Sequence, residues 1–398
     1  MIYRIADYLL DLGTHRLSRA GRAIHLEPQV FDLIALLAAR APDMVGYEDL
    51  VAQIWEGRIV SDATIAARIS AARTALGDDG KRQAVIRTHV RRGIQLVVPV
   101  VTERGGAVTD APEPVANARG QTLRYARSGD GTGIAYAEIG EGPPLLRGGH
   151  WMSHLEQDWT SPVFGPLLDR LAQRRRLIRY DPRGTGLSER SLNGAGLEQL
   201  VDDMEAVADA AGLDRFAIYA LSQSVPVALA FAARHPDRVS RMILSNGFVQ
   251  GELARGEVDR TEALVAMIRA GWGIPGSGFM QAVATVFMPR STPQELESLV
   301  QTQSASATPD VAADLRRMIA GIDVTGILDK VTCPVLVSHA TGDAVQSSEQ
   351  SKIIAAQVRH AGLCFWDTPN HVVPPSDPVW EACLRAFDGF LDEEDAGV

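Results

Sequence analysis

Cysteine is scarce in this sequence, with three residues among 398. An odd number of widely separated cysteines argues against a disulfide framework and is typical of buried thiols in a reducing compartment. Their spacing does not fit a metal site, and we expect neither a metal nor another cofactor. The three residues are Cys333, Cys364 and Cys383.

Long uninterrupted apolar runs are also missing. The most apolar stretch, residues 216–233, contains Ser222, Gln223, Ser224 and Pro226 in its middle. Such a stretch predicts a strand, a turn and a helix rather than a membrane span. The first residues, MIYRIADYLLDLG, lack the basic region and apolar stretch of a signal peptide. We therefore expect a cytoplasmic protein with no membrane partner.

Basic side chains are outnumbered, since 39 Lys and Arg against 49 Asp and Glu give a net charge of −10. The deficit is uneven, because residues 1–100 hold 13 basic and 11 acidic side chains. This distribution allows an anionic partner at the N-terminal part only. Residues 101–121 are rich in Gly, Pro, Ala and charge without periodicity, and we interpret them as a linker before a second unit at 122–392.

The first unit has a mixed pattern of strands and helices. Short strand patterns occur around Tyr3–Leu9, His15–Ser18 and Ala23–Leu26. Helical periodicity follows in EPQVFDLIALLAARAPDMV, GYEDLVAQIW and SDATIAARISAARTALGDDG. A hairpin is predicted in AVIRTHVRRGIQLVVPV, with its turn at Arg91-Arg92-Gly93. The order of three helices and a hairpin indicates a winged helix-turn-helix, an α+β fold.

The segment VSDATIAARISAARTALGDDGKRQAVIRTHVRRGIQLV resembles the DNA-binding output domain of OmpR-type and CadC-type regulators. It departs from that family at Ile94, where tyrosine is usual, and at the Arg91-Arg92 tip. The resemblance implies that the third helix enters the major groove of double-stranded DNA and that the basic wing contacts phosphates. A solvated basic face would contain the same arginines. Because such domains often bind paired half-sites, we expect a homodimer. The expected DNA-binding residues are Thr64, Arg68, Arg73, Arg87, His89, Arg91 and Arg92.

The second unit alternates strands and helices, which predicts a doubly wound, mostly parallel sheet. Two of its segments resemble the α/β-hydrolase fold. YDPRGTGLS is close to that superfamily's D-x-R-G-x-G-x-S turn, and FAIYALSQSVPVALAFAARHPDRVSRMILSNG follows its strand–elbow–helix–strand segment. The resemblance covers about residues 122–392 and implies an insertion at about 248–328 that forms a helical lid.

Ser222 lies where a nucleophile would stand in that fold, although Ala220 and Ser224 occupy positions where glycine is usual. A serine needs an imidazole base and an orienting acid, which follow it in the chain order Ser, acid, His. Asp343 and His371 fit the expected strand ends. A helix-capping role for Ser222 and the alternative partners His339 and Asp367 remain open on sequence alone.

Two backbone N–H groups must stabilise the oxyanion, and we expect them from Gln223 and from His150 in the loop after the third strand of this unit. Ligand-pocket residues are expected in that loop and in the lid, where aromatic side chains could equally be lid core. These residues are Trp151, His154, Trp272 and Phe279.

Four functions remain compatible with the sequence. The first is a transcription regulator whose hydrolase-like unit binds, and in some cases hydrolyses, a small apolar ester or lactone-like ligand. The second is a carboxylesterase or lactonase with an accessory DNA-binding head. The third uses the hydrolase-like unit only for dimerisation, and the fourth is a cofactor-free enzyme other than an esterase. We favour the first, because a DNA-binding head must receive a signal and the lidded pocket can supply one.

Overall fold

The computed structural model describes residues 2–11, 16–19, 22–24, 26, 28–54, 62–89, 92–103, 120–192, 194–274 and 278–393. The chain forms two compact units, Met1–Pro112 and Glu113–Val398.

The described residues of the first unit form three helices and two antiparallel sheets. Its strands are β1 (Ile2–Ile5), β2 (Tyr8–Asp11), β3 (Arg16–Arg19), β4 (Arg22–Ile24), β5 (Val45–Gly46), β6 (Ile86–His89), β7 (Gly93–Leu96) and β8 (Val100–Glu103), and its helices are α1 (Pro28–Arg40), α2 (Tyr47–Ile54) and α3 (Asp62–Ala75). One sheet has the order β4-β3-β2-β1-β8, and the other has the order β5-β7-β6. Strand β5 pairs with β7, so the hairpin β6–β7 extends a sheet that begins before α2.

The pattern over Tyr3–Leu9 forms two strands rather than the single strand predicted. Ala6 has a φ of 52°, and the turn at Ala6 and Asp7 brings Ile5 opposite Tyr8. Tight hairpin turns need left-handed backbone, which usually comes from Gly, Asn or Asp. An alanine at this position therefore hides the turn from sequence analysis.

The core of the first unit lies between α1, α3 and the two sheets. Apolar side chains at helical spacing on α1 and α3 are buried there, in agreement with the predicted stripes. These side chains are Val30, Leu33, Ile34, Leu37, Ile65, Ile69, Ala72 and, just after α3, Leu76. The carboxylate of Asp78 then links the helix to the hairpin, since it accepts hydrogen bonds from the backbone N–H groups of Ala84, Val85 and Ile86.

The start of the predicted linker belongs to the first unit. Strand β8 pairs with β1 from Val100 to Glu103, so the proposed boundary at residue 101 cuts a strand. The apolar run that includes Val100 and Val101 continues the sheet until charge and glycine end it. Residues 104–119 of the predicted linker lie outside the described residues.

The second unit is built on one eight-stranded sheet. Its strands are β9 (Thr122–Arg127), β10 (Gly133–Ile139), β11 (Pro144–Arg147), β12 (Arg176–Tyr180), β13 (Phe216–Leu221), β14 (Val239–Ser245), β15 (Val335–Ala340) and β16 (Ala361–Trp366). Their order is β16-β15-β14-β13-β11-β12-β10-β9. Strand β10 pairs antiparallel with both of its neighbours, β9 and β12, and the remaining neighbours are parallel.

Helices cover this sheet, as the predicted doubly wound architecture requires. They are α4 (Gln157–Thr160), α5 (Gly165–Ala172), α6 (Leu197–Ala210), α7 (Ser224–Arg234), α8 (Val258–Gly271), α9 (Gly278–Phe287), α10 (Pro293–Ser306), α11 (Pro309–Ala320), α12 (Ser348–Gln357) and α13 (Trp380–Asp392), with 3-10 turns at Pro236–Arg238 and Thr325–Lys330. The chain moves from β11 to β12 on one side and then to β13 on the other. The loops after β11 and β13 therefore meet at the carboxyl edge, where doubly wound sheets place their ligands.

Helices α8 to α11 lie between β14 and β15 and form the insertion that the sequence predicted as a lid. The segments RTEALVAMIRAGWG, SGFMQAVATVFM and TPQELESLVQ have helical patterns that predict the first three of them, whereas α11 was not predicted. Thr308 caps α11 through a hydrogen bond from Val311 N, and Pro309 occupies its first position. These are ordinary helix-start signals, so the sequence contained enough information to predict this helix.

Candidate functional site

Ser222 stands on a sharp turn between β13 and α7. Its φ is 57°, in the left-handed region that a β-carbon disfavours. The turn is held by a hydrogen bond from Ser222 N to Ser245 O, 2.9 Å long, on the neighbouring strand. Strained backbone of this kind pushes a nucleophile's side chain out of the strand–helix junction.

The residue that replaces the second usual glycine braces this turn. The Ser224 hydroxyl accepts a hydrogen bond from Leu221 N at 2.8 Å and donates one to Leu221 O at 2.9 Å. A β-carbon at residue 148 would lie 2.8 Å from the β-carbon of Ser224. Gly148 therefore makes room for the β-carbon of Ser224, which stands where glycine is usual.

Asp343 and His371 form the predicted acid–imidazole pair. His371 Nδ1 lies 2.7 Å from Asp343 Oδ2, and both side chains are fully buried. Since a carboxylate only accepts, Nδ1 carries the proton and Nε2 presents its lone pair. Among the described residues, His371 Nε2 has no hydrogen-bond partner. This is the tautomer that a general base requires.

The loop that carries Asp343 is fixed by its backbone. Asp343 Oδ1 accepts hydrogen bonds from Val345 N at 2.7 Å and Gln346 N at 3.1 Å. One carboxylate oxygen of Asp343 therefore accepts hydrogen bonds from its own loop, and the other accepts one from His371. Asp367, the alternative acid, is exposed on the approach to His371.

His339, the alternative imidazole, is engaged at both ring nitrogens. Nε2 lies 3.2 Å from Gln346 O, and Nδ1 lies 2.7 Å from Ser351 Oγ. The carbonyl accepts, so Nε2 carries the proton and Nδ1 accepts from the serine. Burial lowers the pKa of His339, which keeps the ring neutral. It supports the acid loop and is not free to act as a base.

Asn246, which the sequence analysis passed over, joins the parts of this site. Its Nδ2 donates to His371 O at 2.6 Å, and its Oδ1 accepts from Ala340 N at 2.8 Å, at the end of the strand before Asp343. The preceding residue, Ser245, accepts the hydrogen bond from Ser222 N. In the sequence Asn246 is marked only by its position directly after β14, and nothing local indicates its partners.

The lid is attached to the loop that carries His371. Phe287 O, at the end of α9, accepts hydrogen bonds from His371 N at 2.9 Å and Val372 N at 3.2 Å. The Phe287 ring meets the imidazole edge to face, with centroids 5.2 Å apart. Arg290 N donates to Asn370 Oδ1 at 2.8 Å, and Asn370 Nδ2 donates to Arg290 O at 2.7 Å.

A mostly apolar cavity of about 270 Å³ lies between the serine turn and the lid. Ser222 and Gln223 line it, together with the predicted pocket residues Trp151, Trp272 and Phe279. Its further lining residues are Phe248, Glu252, Arg260, Leu264, Met267, Ile268, Ala282, Val283, Val286, Phe287, Arg316, Ile319, Ala344, Val345 and Gln346. The aromatic side chains of the lid therefore serve as cavity wall.

His154, also predicted for the pocket, does not line this cavity. Its Nδ1 accepts hydrogen bonds from the backbone N–H groups of Glu156 and Gln157 at 3.3 and 3.4 Å. The imidazole thus satisfies N–H groups at the start of α4, where the first turn of a helix has no internal acceptor.

The side chain of His150 points into a buried charged cluster. Arg147 donates a hydrogen bond to His150 Nδ1 at 3.1 Å, and the ring packs against Phe164. Burial, together with the charges of Arg147 and Arg179, holds the pKa of His150 well below its usual range. Asp158 lies 3.8 Å from both guanidinium groups, and burial raises its pKa to about 7. The oxyanion role concerns only the backbone N–H of His150 and stays a prediction, as does that of Gln223.

The predicted DNA-binding face of α3 needs correction. Arg73 is buried and donates to Ile86 O at 3.1 Å and Thr88 Oγ1 at 2.7 Å, so it ties α3 to the hairpin. Arg68 is half-buried and donates to Gln29 Oε1, and Thr64 is half-buried. Helical phase alone could not show that α1 and β6 cover these positions. Between residues 64 and 75 of α3, the exposed side chains are those of the small residues Ala66, Ala67, Ser70 and Thr74.

The hairpin retains its basic character. Arg87 and Arg92 are exposed, as are Lys81 and Arg82 in the preceding turn. His89 is half-buried, with Nε2 2.8 Å from Gln95 Oε1. Arg91 lies outside the described residues.

Within the described part of the chain, no group of three or more His, Cys, Asp or Glu side chains could hold a metal ion. The helices described there include none that is long and apolar enough to cross a membrane.

A left-handed serine turn at the carboxyl edge of a doubly wound sheet, beneath a helical insertion, defines the α/β-hydrolase class. Residues 148–326 match the family model described as alpha/beta hydrolase fold, and residues 21–96 match the model described as transcriptional regulatory protein, C terminal. The protein therefore combines a winged helix-turn-helix domain of the transcriptional-regulator family with an α/β-hydrolase-fold domain. The hydrolase match includes Ser222 and ends before Asp343 and His371.

Individual relatives divide in the same way. The chain is 29% identical over 122 residues to the transcriptional activator CadC of Escherichia coli, which covers 29% of this chain and 24% of CadC. It is 27% identical over 280 residues to the putative carbamate hydrolase RutD of Azorhizobium caulinodans, which covers 68% of this chain and all of RutD. A thermophilic esterase from Thermogutta terrifontis shares the fold, with a TM-score of 0.57 at 22% identity, covering 68% of this chain and 98% of the esterase.

Proposed function

We propose that this protein is a transcription regulator whose hydrolase-fold unit binds a small apolar ester or lactone-like compound and cleaves it. One observation carries the proposal. A buried imidazole, oriented by Asp343, keeps an unpartnered Nε2, while Ser222 stands in a left-handed turn on the floor of a lidded apolar cavity.

The chemistry follows from the hydrogen-bonding capacity of these groups. Ser222 Oγ attacks the ligand's carbonyl carbon, and His371 Nε2 takes the hydroxyl proton. Asp343 holds the Nδ1 proton and stabilises the imidazolium that forms. The backbone N–H groups of Gln223 and His150 receive the negative charge on the carbonyl oxygen, with support from the N-terminus of α7. His371 then protonates the leaving alcohol, and a water molecule cleaves the acyl-enzyme by the same steps.

The DNA-binding part of the proposal rests on the family match and on the exposed groups of the first unit. The small side chains of α3 let the helix backbone approach a groove closely, and Arg87 and Arg92 are placed to contact phosphates. We propose double-stranded DNA as the partner and a homodimer on paired half-sites as the bound form.

The first experiment measures hydrolysis of short p-nitrophenyl esters by the full chain. Activity is expected in the wild type and in Ser304→Ala, which alters a serine outside the cavity, and loss of at least about a thousandfold in Ser222→Ala and His371→Gln. Equal activity in all four proteins would refute the proposed triad.

The second experiment measures binding to DNA from upstream of the coding sequence, with and without the ester. A ligand-dependent change in affinity, of about fivefold or more, is expected. Ser222→Ala should keep this response, because it removes the nucleophile and leaves most of the cavity unchanged. Absence of DNA binding would refute the proposal that this protein is a transcription regulator.

A second candidate is a carboxylesterase or lactonase with an accessory DNA-binding head. The hydrolase names of relatives that match the second unit over most of their length favour it. It predicts efficient turnover together with DNA affinity that the ligand does not alter.

A further inference from the structure

Three lid helices line the cavity, and two of them, α8 and α9, each present an apolar stripe to it, while α11 contributes Arg316 and Ile319. On α8 the stripe contains Leu264, Met267, Ile268 and the adjoining Trp272, at spacings of three and four residues. The corresponding stripe on α9 contains Phe279, Ala282, Val283, Val286 and Phe287. Such spacing places each set on one face of its helix over two turns. The cavity therefore has two long, roughly matched walls.

The size of these walls follows from helix geometry. Each stripe spans eight residue steps, which at 1.5 Å per residue is about 12 Å. The helices touch near their connection, where a β-carbon on Gly271 would lie 2.7 Å from Phe279 Cβ. The space between the stripes is therefore a narrow slot that is closed at the Gly271–Phe279 contact.

The slot reaches the surface through an apolar rim. Met267 and Val286 line the cavity, yet they are 54% and 47% exposed, and Ala282 is also exposed. Large apolar side chains left half-exposed around a cavity are a recurrent feature of sites that bind apolar ligands. The polar lining residues are Ser222, Gln223, Gln346, the paired Glu252 and Arg316, and Arg260 near the start of α8.

We propose that the slot between α8 and α9 binds a linear alkyl chain, so that the ligand is a medium-chain acyl or alkyl compound. A zigzag chain advances roughly 1.25 Å per carbon, given carbon–carbon bonds of about 1.5 Å, so 12 Å accommodates about eight to ten carbons. The end of a longer chain would extend into solvent between Met267 and Val286. This inference takes the reacting carbonyl group from the proposed function and adds that the ligand carries a linear alkyl chain.

The test in turnover uses p-nitrophenyl acetate, butyrate and octanoate. The wild-type kcat/KM should rise roughly two- to fourfold per added methylene as each enters the slot. Ala282→Phe, which places a ring on the rim, should lower kcat/KM for octanoate at least tenfold more than it lowers kcat/KM for acetate. Gln281→Phe places the same ring on a neighbouring exposed residue outside the lining and should change neither. A flat chain-length series, or equal effects of the two variants, would overturn the proposal.

The test in binding separates failure of the slot from failure of catalysis. Trp151 and Trp272 lie in the cavity wall with ring centroids 5.9 Å apart, so their fluorescence reports occupancy. In Ser222→Ala, octan-1-ol should bind at least tenfold more tightly than butan-1-ol, and Ala282→Phe should remove that preference. If no ester is cleaved and octan-1-ol still binds in this way, cleavage fails and the slot stands. Tighter binding of 2-phenylethanol, which has the same number of carbons, would overturn the linear chain in favour of an aromatic ligand.

Discussion

The side-chain amide of Asn246 donates a hydrogen bond of 2.6 Å to the backbone carbonyl of His371. The same amide accepts from Ala340 N, on the strand that leads to Asp343. Its backbone N–H donates to Ser338 O, and its φ of 46° lies in the left-handed region. One residue therefore holds His371 against the strand that leads to Asp343, next to the strand end that supports Ser222.

Asn246→Gly should reduce kcat of ester hydrolysis by about ten- to a hundredfold with little change in KM. Glycine accepts the left-handed backbone but loses both amide contacts, so His371 is positioned less closely. Asn246→Asp should be at least as damaging at neutral pH, because a carboxylate cannot donate to the His371 carbonyl. Thermal unfolding checks that both variants fold. Wild-type kcat in folded Asn246→Gly would show that the amide does not position the base.

Gly148→Ala should destabilise the protein by about 1–3 kcal/mol, because the new methyl group overlaps Ser224. In a Ser224→Gly background the same substitution should cost at least about 1 kcal/mol less, since the overlapping atoms are gone. The four proteins of this cycle are compared by urea unfolding. If the two changes in unfolding free energy are strictly additive, residues 148 and 224 do not interact.

The buried histidines should lower the unfolding free energy as the pH drops below about 6.5, the ordinary histidine pKa, while Asp158, whose pKa burial raises to about 7, acts in the opposite direction. The pKa of His150 is lowered in the folded protein, by burial and by Arg147 and Arg179, so the unfolded chain binds a proton that the folded chain does not. The histidine contribution to the unfolding free energy therefore rises with pH up to about 6.5, by at most about 1.4 kcal/mol per pH unit for each such histidine. Buried His154 and His339 act in the same direction.

His150→Gln should therefore flatten this pH dependence, measured by urea unfolding between about pH 5 and 7. His360→Gln, at an exposed position, should leave the slope as in the wild type. An unchanged slope in His150→Gln would show that the buried ring does not resist protonation.

Ala67→Glu should weaken DNA binding at least tenfold, because it places a negative charge on the exposed face of α3. Ala39→Glu makes the same change at an exposed position of α1 and should have little effect. Gel shift at fixed salt compares the two, with circular dichroism as a check of folding. Equal losses in both variants would place the contact surface elsewhere in the unit.

The sequence was most informative where local pattern and position in the chain agree. Alternating strands and helices predicted the sheet, and Asp343 was located because it follows a buried strand after Ser222. Helical phase also predicted which side of α3 is buried. These features depend on residues close together in sequence or on a fixed chain order.

The failures involve contacts between distant segments. Arg73 was predicted as a surface cation, but it is buried against β6. His154 was predicted as a pocket residue, but it accepts hydrogen bonds at the start of α4. Asn246 has no local signal for a role, since its partners are about 94 and 125 positions away. The turn at Ala6 was missed for a different reason, because alanine is an unusual choice for left-handed backbone.

The bonds from His371 N and Val372 N to Phe287 O have a consequence for local unfolding. Most amides at the edge of the sheet are protected by neighbouring strands, whereas these two are protected by a carbonyl of the lid. Their hydrogen–deuterium exchange should therefore follow the opening of α9 and slow when a ligand fills the cavity. Exchange at the His371 amide therefore reports whether the lid is closed over the cavity.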